Sequence, residues 1–197
     1  MFDEKINLQY SASVSMKWRN TSARYGAISV GFHWLMVGLL IAVYASMELR
    51  DFFPKGSAPR EAMKTWHFML GLSVLILAAM RLLANRLDRA PGITPLPPKW
   101  QSRSAHAMHV ALYALMLGLP LLGWLTLSAS GKPIPFFGLH LPALLAENKD
   151  TADLIKEVHE AGATAGYFLI GAHAAAALFH HYVMRDDTLR RILPGRN

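Results

Sequence analysis

The sequence predicts an all-α fold, an integral membrane four-helix transmembrane bundle. Three observations carry that prediction. Hydrophobic residues make up 53% of the 197 positions and charged residues only 17%, against about 25% charged in an ordinary soluble domain. The apolar residues fall into four blocks, each long enough to cross a bilayer, which takes about 20 residues at a rise of about 1.5 Å each. Each block is apolar around most of its circumference rather than along one stripe, and four of them leave too little polar chain to cover them in water.

Residues 1–26 show no apolar periodicity and read as a loose N-terminal tail, with Met16 as an alternative start. The first block, 27–49, lacks a small-residue cleavage site and carries His33 and Trp34, so it is a span and not a signal peptide. The sequence DFFPKGSAPRE at 51–61 holds prolines and a glycine that cannot continue the helix. A second span covers 65–83. The connection LDRAPGITPLPPKW at 87–100 has four prolines and reads as an extended loop. A third span covers 104–128. The longest connection, 129–160, contains GKPIPFFG and then ENKDTADLIKEVHE, a polar helix leading into the fourth span, with Asp150 or Thr151 as its cap. The fourth span covers 161–184, and 185–197 form a C-terminal tail. No internal repeat is evident. The expected organisation is thus 1–26 tail, 27–184 transmembrane domain, 185–197 tail.

The formal net charge is +7, which in a soluble chain suggests nucleic acid. Here the basic residues lie between apolar blocks. Thirteen Lys and Arg flank one side of the expected membrane, in the N-tail, the second connection and the C-tail, against seven on the other. By the positive-inside rule both termini face the cytoplasm, and no nucleic-acid partner is expected. The chain has no cysteine, which excludes disulfides, thiolate metal sites, iron–sulfur clusters and covalently attached haem.

Ionisable side chains inside a membrane are costly and usually functional. Most of the nine histidines fall in the spans or at their ends. His33 lies near the cytoplasmic end of the first span, and His67 near the opposite end of the second. His159 and His173 are 14 residues apart, a rotation within about 40° of whole turns and a rise of about 21 Å. They share a helix face, with His173 at the level of His33 and His159 at the level of His67. A buried histidine often does no more than hydrogen-bond a neighbouring helix. Two levels with two histidines each fit two bis-histidine haems better, since metals without a porphyrin usually take three or four protein ligands. Small residues around His173 (Gly171, Ala172, 174–177) make room for a flat macrocycle or serve close helix packing.

Other polar groups carry weaker expectations. His180, seven residues after His173 on the same face, is placed to hydrogen-bond a quinone carbonyl or a haem propionate. Arg81 needs a counter-charge, and a propionate competes with snorkelling to the interface. His106 and His109 serve as haem neighbours, quinone contacts or interfacial groups, the last being preferred. His140 and His181 are given no role. Trp34, Trp66 and Trp124 are expected in the interfacial belt or in packing.

The segments HWLM around His33, YASMELRDFFP at 44–54, WHFMLGLSVLILAAMRLL around His67, VHEAGATAGYFLIGAHAAAALFHHY at 158–182 and the final DDTLRRILP closely resemble the bacterial cytochrome b561 family, di-haem inner-membrane cytochromes of the superoxide oxidase type. The resemblance runs from about Met16 onward, the first fifteen residues looking like an extension. It implies a four-helix bundle in the bacterial inner membrane with two non-covalent b haems. His33 would pair with His173 and His67 with His159, which agrees with the two levels above. It implies electron transfer from superoxide outside the membrane to ubiquinone within it. Superoxide is an anion, and Arg50, Lys55, Arg60, Lys64 and Lys132 in the outer loops are placed to steer it. These loops carry seven bases against eight acids, so attraction must come from a local cluster. The alternatives are an electron-conduit subunit of a membrane dehydrogenase or hydrogenase-type complex, as in some relatives, and a histidine-lined metal or proton transporter, which the two-level pairing disfavours.

Overall fold

Four helices follow one another in the computed structural model, which describes residues 18–194: α1 (Ala27–Arg50), α2 (Ala58–Leu87), α3 (Lys99–Ala129) and α4 (Lys149–Phe179). All four are long and apolar enough to cross a membrane. They run up and down, α1 against α2, α2 against α3, and α3 against α4. The bundle does not close on itself, because no Cα of α4 comes within 8 Å of one in α1 or α2. A slot therefore separates α4 from the α1–α2 pair.

The helices outrun the apolar blocks because their polar ends are good helix termini. α2 starts after Ser57 with a proline in its first turn, where a missing N–H costs nothing. α4 is continuous from Lys149, so the polar helix before the fourth span is its first part. Its cap is Asn148, not Asp150 or Thr151. The extended backbone at Asn148 turns its side-chain oxygen to accept the Thr151 N–H at 2.9 Å.

One element was not anticipated. β1 (Ile134–Phe136) and β2 (Leu139–Leu141) form an antiparallel hairpin, pairing Ile134 with Leu141 and Phe136 with Leu139. Its two-residue turn has positive φ at both Phe137 and Gly138, 45° and 87°, the twist a tight hairpin prefers. Pro135 within GKPIPFFG disguises the strand, since proline is tolerated in a two-stranded edge but not in a sheet interior. Ile134 packs with Leu72 and Leu127, flanked by Phe68, Trp124, Phe136 and Leu141. This "hairpin end" is opposite the "terminal end", where the described residues begin and end. The mid-bundle core is Met36, Val74, Leu77, Ala78 and Met116. Large apolar side chains such as Leu35, Ile41, Ile76, Met80 and Phe168 stay on the outside, as lipid-facing residues do.

The described parts of the tails, 18–26 and 185–194, make hydrogen bonds to the bundle. Asn20 accepts hydrogen bonds from the Gly26 N–H and the Ser29 hydroxyl, and its own N–H donates to Asp88. Arg191 is buried and donates to the carbonyls of Pro91 and Gly92, while the Trp34 indole donates to the Ile192 carbonyl. Polar groups of both tails thus satisfy one another and the proline-rich connection. Met16, Lys5, Lys17 and Arg196 lie outside the described residues.

Candidate functional site

A stripe at seven-residue spacing runs along α4 through His159, Gly166 and His173 and on to His180, the first residue past its end. Each step turns the helix about 20° short of two full turns, and His159, Gly166 and His173 look into the slot. The first and third face imidazoles on the other wall. His67 on α2 faces His159 with ring centroids 6.2 Å apart, and His33 on α1 faces His173 at 6.5 Å. An imidazole nitrogen sits about 2.0–2.1 Å from a bound metal, and its ring centre roughly 1.1 Å beyond, so two imidazoles sharing one metal across it have centroids about 6.3 Å apart. Both pairs have this separation. The residues therefore fit a group held between opposed histidines, and the slot leaves space for a flat one.

At the hairpin end the rings are fixed by backbone. Nδ1 of His67 lies 3.2 Å from the Val43 carbonyl, and Nδ1 of His159 lies 2.9 Å from the Leu119 carbonyl. A carbonyl only accepts, so each Nδ1 carries the proton and each Nε2 keeps its lone pair for a metal. Leu119 precedes Pro120, which removes a rung of the α3 ladder at this level. A cavity of about 660 Å³ opens here, lined among others by His67, His159, Gly71, Gly123, Lys64 and Lys132, within the usual range for a bound cofactor.

The terminal end is arranged differently. Nη2 of Arg81 lies 3.2 Å from Nδ1 of His33. Arginine has no acceptor, so it donates, and the His33 proton sits on Nε2. Metal ligation by His33 through Nε2 requires that proton to leave, and an anionic group gives Arg81 a stronger partner than a neutral ring. A third imidazole belongs here. His109, for which an interfacial place was preferred, has its ring 5.6 Å from that of His173. Depth could have shown this: His109 lies five residues into the expected third span, as His33 lies six into the first. His106 is exposed on the terminal-end turn of α3.

The structure joins other groups that sequence spacing did not. His180 meets Gln101 of α3 and Asp186 of the tail. Between the levels, Tyr44 of α1 reaches across the slot and donates to the Ala163 carbonyl at 3.0 Å. Gly166 makes that approach possible, since a Cβ there would lie 2.1 Å from the Tyr44 hydroxyl. Tyr167 donates to Glu48 at 2.6 Å, a second bridge between α4 and α1. Trp124 donates to the Pro142 carbonyl, and Trp66 stands edge-on to Phe137 of the hairpin turn. Among the described residues, no group of three or more His, Asp or Glu forms a metal cluster without a porphyrin.

Comparison with known proteins identifies the family. The family profile of prokaryotic cytochrome b561 matches residues 24–195. The chain is 42% identical over 173 residues to cytochrome b561 homolog 1 of Escherichia coli K12, covering 88% of this chain and 98% of that protein. It is 39% identical over 173 residues to the probable superoxide oxidase CybB of Yersinia pestis, covering 88% and 97%. It is 32% identical over 184 residues to cytochrome b561 homolog 2 of E. coli K12, covering 90% and 95%. With four candidate spans and this match over nearly its whole length, the chain belongs to the prokaryotic cytochrome b561 family, multi-pass bacterial membrane proteins that bind haem b and transfer electrons.

Proposed function

We propose that this protein holds two b haems, one at each histidine level, and carries electrons from superoxide at the hairpin end to a quinone at the terminal end. The observation that carries this reading is the pair of opposed histidines at each level, His33 with His173 and His67 with His159, at 6.5 and 6.2 Å. Haem b bound at these positions supplies one-electron redox chemistry.

The chain's own residues do the rest. His67 and His159 are oriented by the Val43 and Leu119 carbonyls, and Arg81 stands ready for a propionate beside His33. With both termini cytoplasmic, as the flanking charges indicate, the hairpin end faces outward. There Arg50, Lys64, Lys132 and Lys156 line the cavity that reaches His67 and His159, together with Glu48, Asp153 and Glu160; Arg50, Lys64 and Lys156 pair with Asp51, Glu61 and Glu160, so the lining keeps a small net positive charge that is suited to draw in an anion. Lys55 is not among the lining residues, and Arg60 is engaged by Asp51 and the Arg50 and Phe53 carbonyls. Two superoxide ions each give one electron and leave as dioxygen; the quinone takes two electrons and two protons. The name of the Yersinia relative supports the donor, and His180 at the terminal end supports the acceptor.

The test is stopped-flow spectroscopy of the purified protein. Pyridine haemochrome analysis should give two haems per chain, extractable by acid acetone. Superoxide should reduce them, and added ubiquinone should reoxidise them. Haems that superoxide leaves oxidised but a membrane dehydrogenase reduces would replace this reading with an electron conduit.

A further inference from the structure

We infer that Asp186 is a positioning residue for His180, and that the two form a dyad delivering protons to the quinone carbonyl oxygen. This rests on the quinone reading above. The geometry is unusual for a chain terminus. α4 ends in a π turn, His180–Met184, and Arg185 then takes a left-handed conformation at φ 54°. Both features are uncommon and often mark functional sites. They fold the chain back so that the Asp186 N–H donates to the His180 carbonyl at 3.2 Å. The Asp186 carboxylate then accepts from His180 Nδ1 through one oxygen and from the Thr188 N–H at 2.9 Å through the other.

The dyad is enclosed. Asp186 is buried and the His180 side chain is 15% exposed. Arg191 anchors the tail behind it to the Pro91 and Gly92 carbonyls, and Asp187 accepts from the Thr94 N–H. Burial alone would raise the Asp186 carboxyl, but hydrogen bonds from His180 and Thr188 hold it below the usual carboxylate range. It is therefore an anion at neutral pH. The groups against the His180 ring include this carboxylate, the neutral Gln101 amide from α3 and the Phe179 ring.

With Nδ1–H committed to Asp186, only Nε2 can exchange a proton with a substrate. In the neutral ring Nε2 accepts from the Gln101 amide, 3.0 Å away. In the imidazolium it is a donor, and Gln101 must turn its oxygen to it or yield to another acceptor. A quinone carbonyl oxygen is such an acceptor. As an electron reaches the quinone, the Nε2–H bond breaks, its electron pair stays on nitrogen, and an O–H bond forms. Asp186 keeps its hydrogen bond throughout and favours reloading of Nε2 from water on that side. Two such transfers complete the quinol. This is the orienting role a carboxylate plays behind many catalytic histidines.

The experiment uses the full chain with its haems reduced by dithionite, mixed with ubiquinone-1 in detergent across pH 5.5–9. Wild-type reoxidation should slow as pH rises. Asp186→Asn retains an acceptor but not the charge; it should move this fall-off about one pH unit lower and slow reoxidation about tenfold at neutral pH. Asp186→Glu should recover part of the rate, and His180→Asn should make Asp186→Asn silent. Unchanged haem bands in each variant certify folding. Independently, 15N-histidine NMR should show one imidazole whose titration moves down in Asp186→Asn. An unmoved histidine set, or a wild-type rate and pH profile in Asp186→Asn, overturns the dyad and leaves the quinone reading standing. Failure of the wild type to be reoxidised at all overturns the quinone reading itself.

Discussion

At the hairpin end, His67 and His159 each commit Nδ1 to a backbone carbonyl, on α1 and α3 respectively. At the terminal end, His33 faces a guanidinium, and His173 has two imidazole neighbours in His33 and His109. The same α4 stripe thus serves one level fixed by main chain and one level set by side chains. Main-chain anchors do not titrate and do not change rotamer, so the hairpin-end rings are preorganised. The terminal-end cluster has several acceptable arrangements, and what binds there selects among them.

The largest effect expected from this contrast is loss of one haem. His67→Ala or His159→Ala should empty the hairpin-end level, because among the described residues no other imidazole is seen against this pair. His33→Ala or His173→Ala should empty the terminal-end level. Haem content should fall by half in each case, with the surviving absorption component the same within each pair. If His33→Ala and His67→Ala removed the same component, the pairing would be wrong. His109 sharpens the comparison: His109→Leu should leave the terminal-end haem in place, since the 6.5 Å pair and not the 5.6 Å pair has the separation for opposed ligands. A haem lost from His109→Leu but kept in His33→Ala would exchange their roles.

This contrast also explains what the sequence could reveal. Span number, helix order and the four ligand candidates were legible because apolar length and a 14-residue histidine spacing are properties of side chains. The carbonyls of Val43 and Leu119 were not, since every residue has one and only packing decides which is free. Asn148, Asp150 and Thr151 are all residue types that cap helices, so only backbone geometry decides that Asn148 is the cap. Asp186 was unreadable for a similar reason: only the π turn and the left-handed Arg185 bring it back to His180. The hairpin was hidden behind two prolines, Pro133 and Pro135, which read as loop.

Arg81 should give the next largest effect, confined to the terminal end. Groups that orient metal ligands typically contribute about 10–100-fold to affinity. Arg81→Gln keeps a donor for His33 and removes the charge. It should weaken haem at the terminal end within that range and leave the hairpin end alone, as read by haem titration into the haem-free protein. Arg81→Lys keeps the charge without the planar fork and should fall between. Equal weakening at both levels would show that Arg81 acts on the bundle as a whole.

The smallest effect expected lies between the levels, at Gly166. It stands seven residues from each α4 ligand, and the Tyr44 hydroxyl from α1 fills the space its missing side chain leaves. A Cβ there would lie 2.1 Å from that hydroxyl and 2.9 Å from Leu115 Cδ1, but 3.4 Å from the Tyr44 ring carbon that bears the hydroxyl. The first contact is impossible and the last is ordinary. Overpacking of this kind costs about 1–3 kcal/mol; here about 1 kcal/mol is expected, since both close contacts are with the tips of flexible side chains, the Tyr44 hydroxyl and Leu115 Cδ1. Alanine also offsets part of the cost by favouring helix over glycine, by about 0.5–1 kcal/mol. Tyr44→Phe removes the clashing oxygen along with its bond to Ala163. A double-mutant cycle on thermal stability should therefore be non-additive, with Tyr44→Phe/Gly166→Ala more stable than the sum of the single changes. Because the contact lies between the levels, any loss of haem in Gly166→Ala should be shared between them. Loss from one level alone would mean that Tyr44 serves that level and does not space the two.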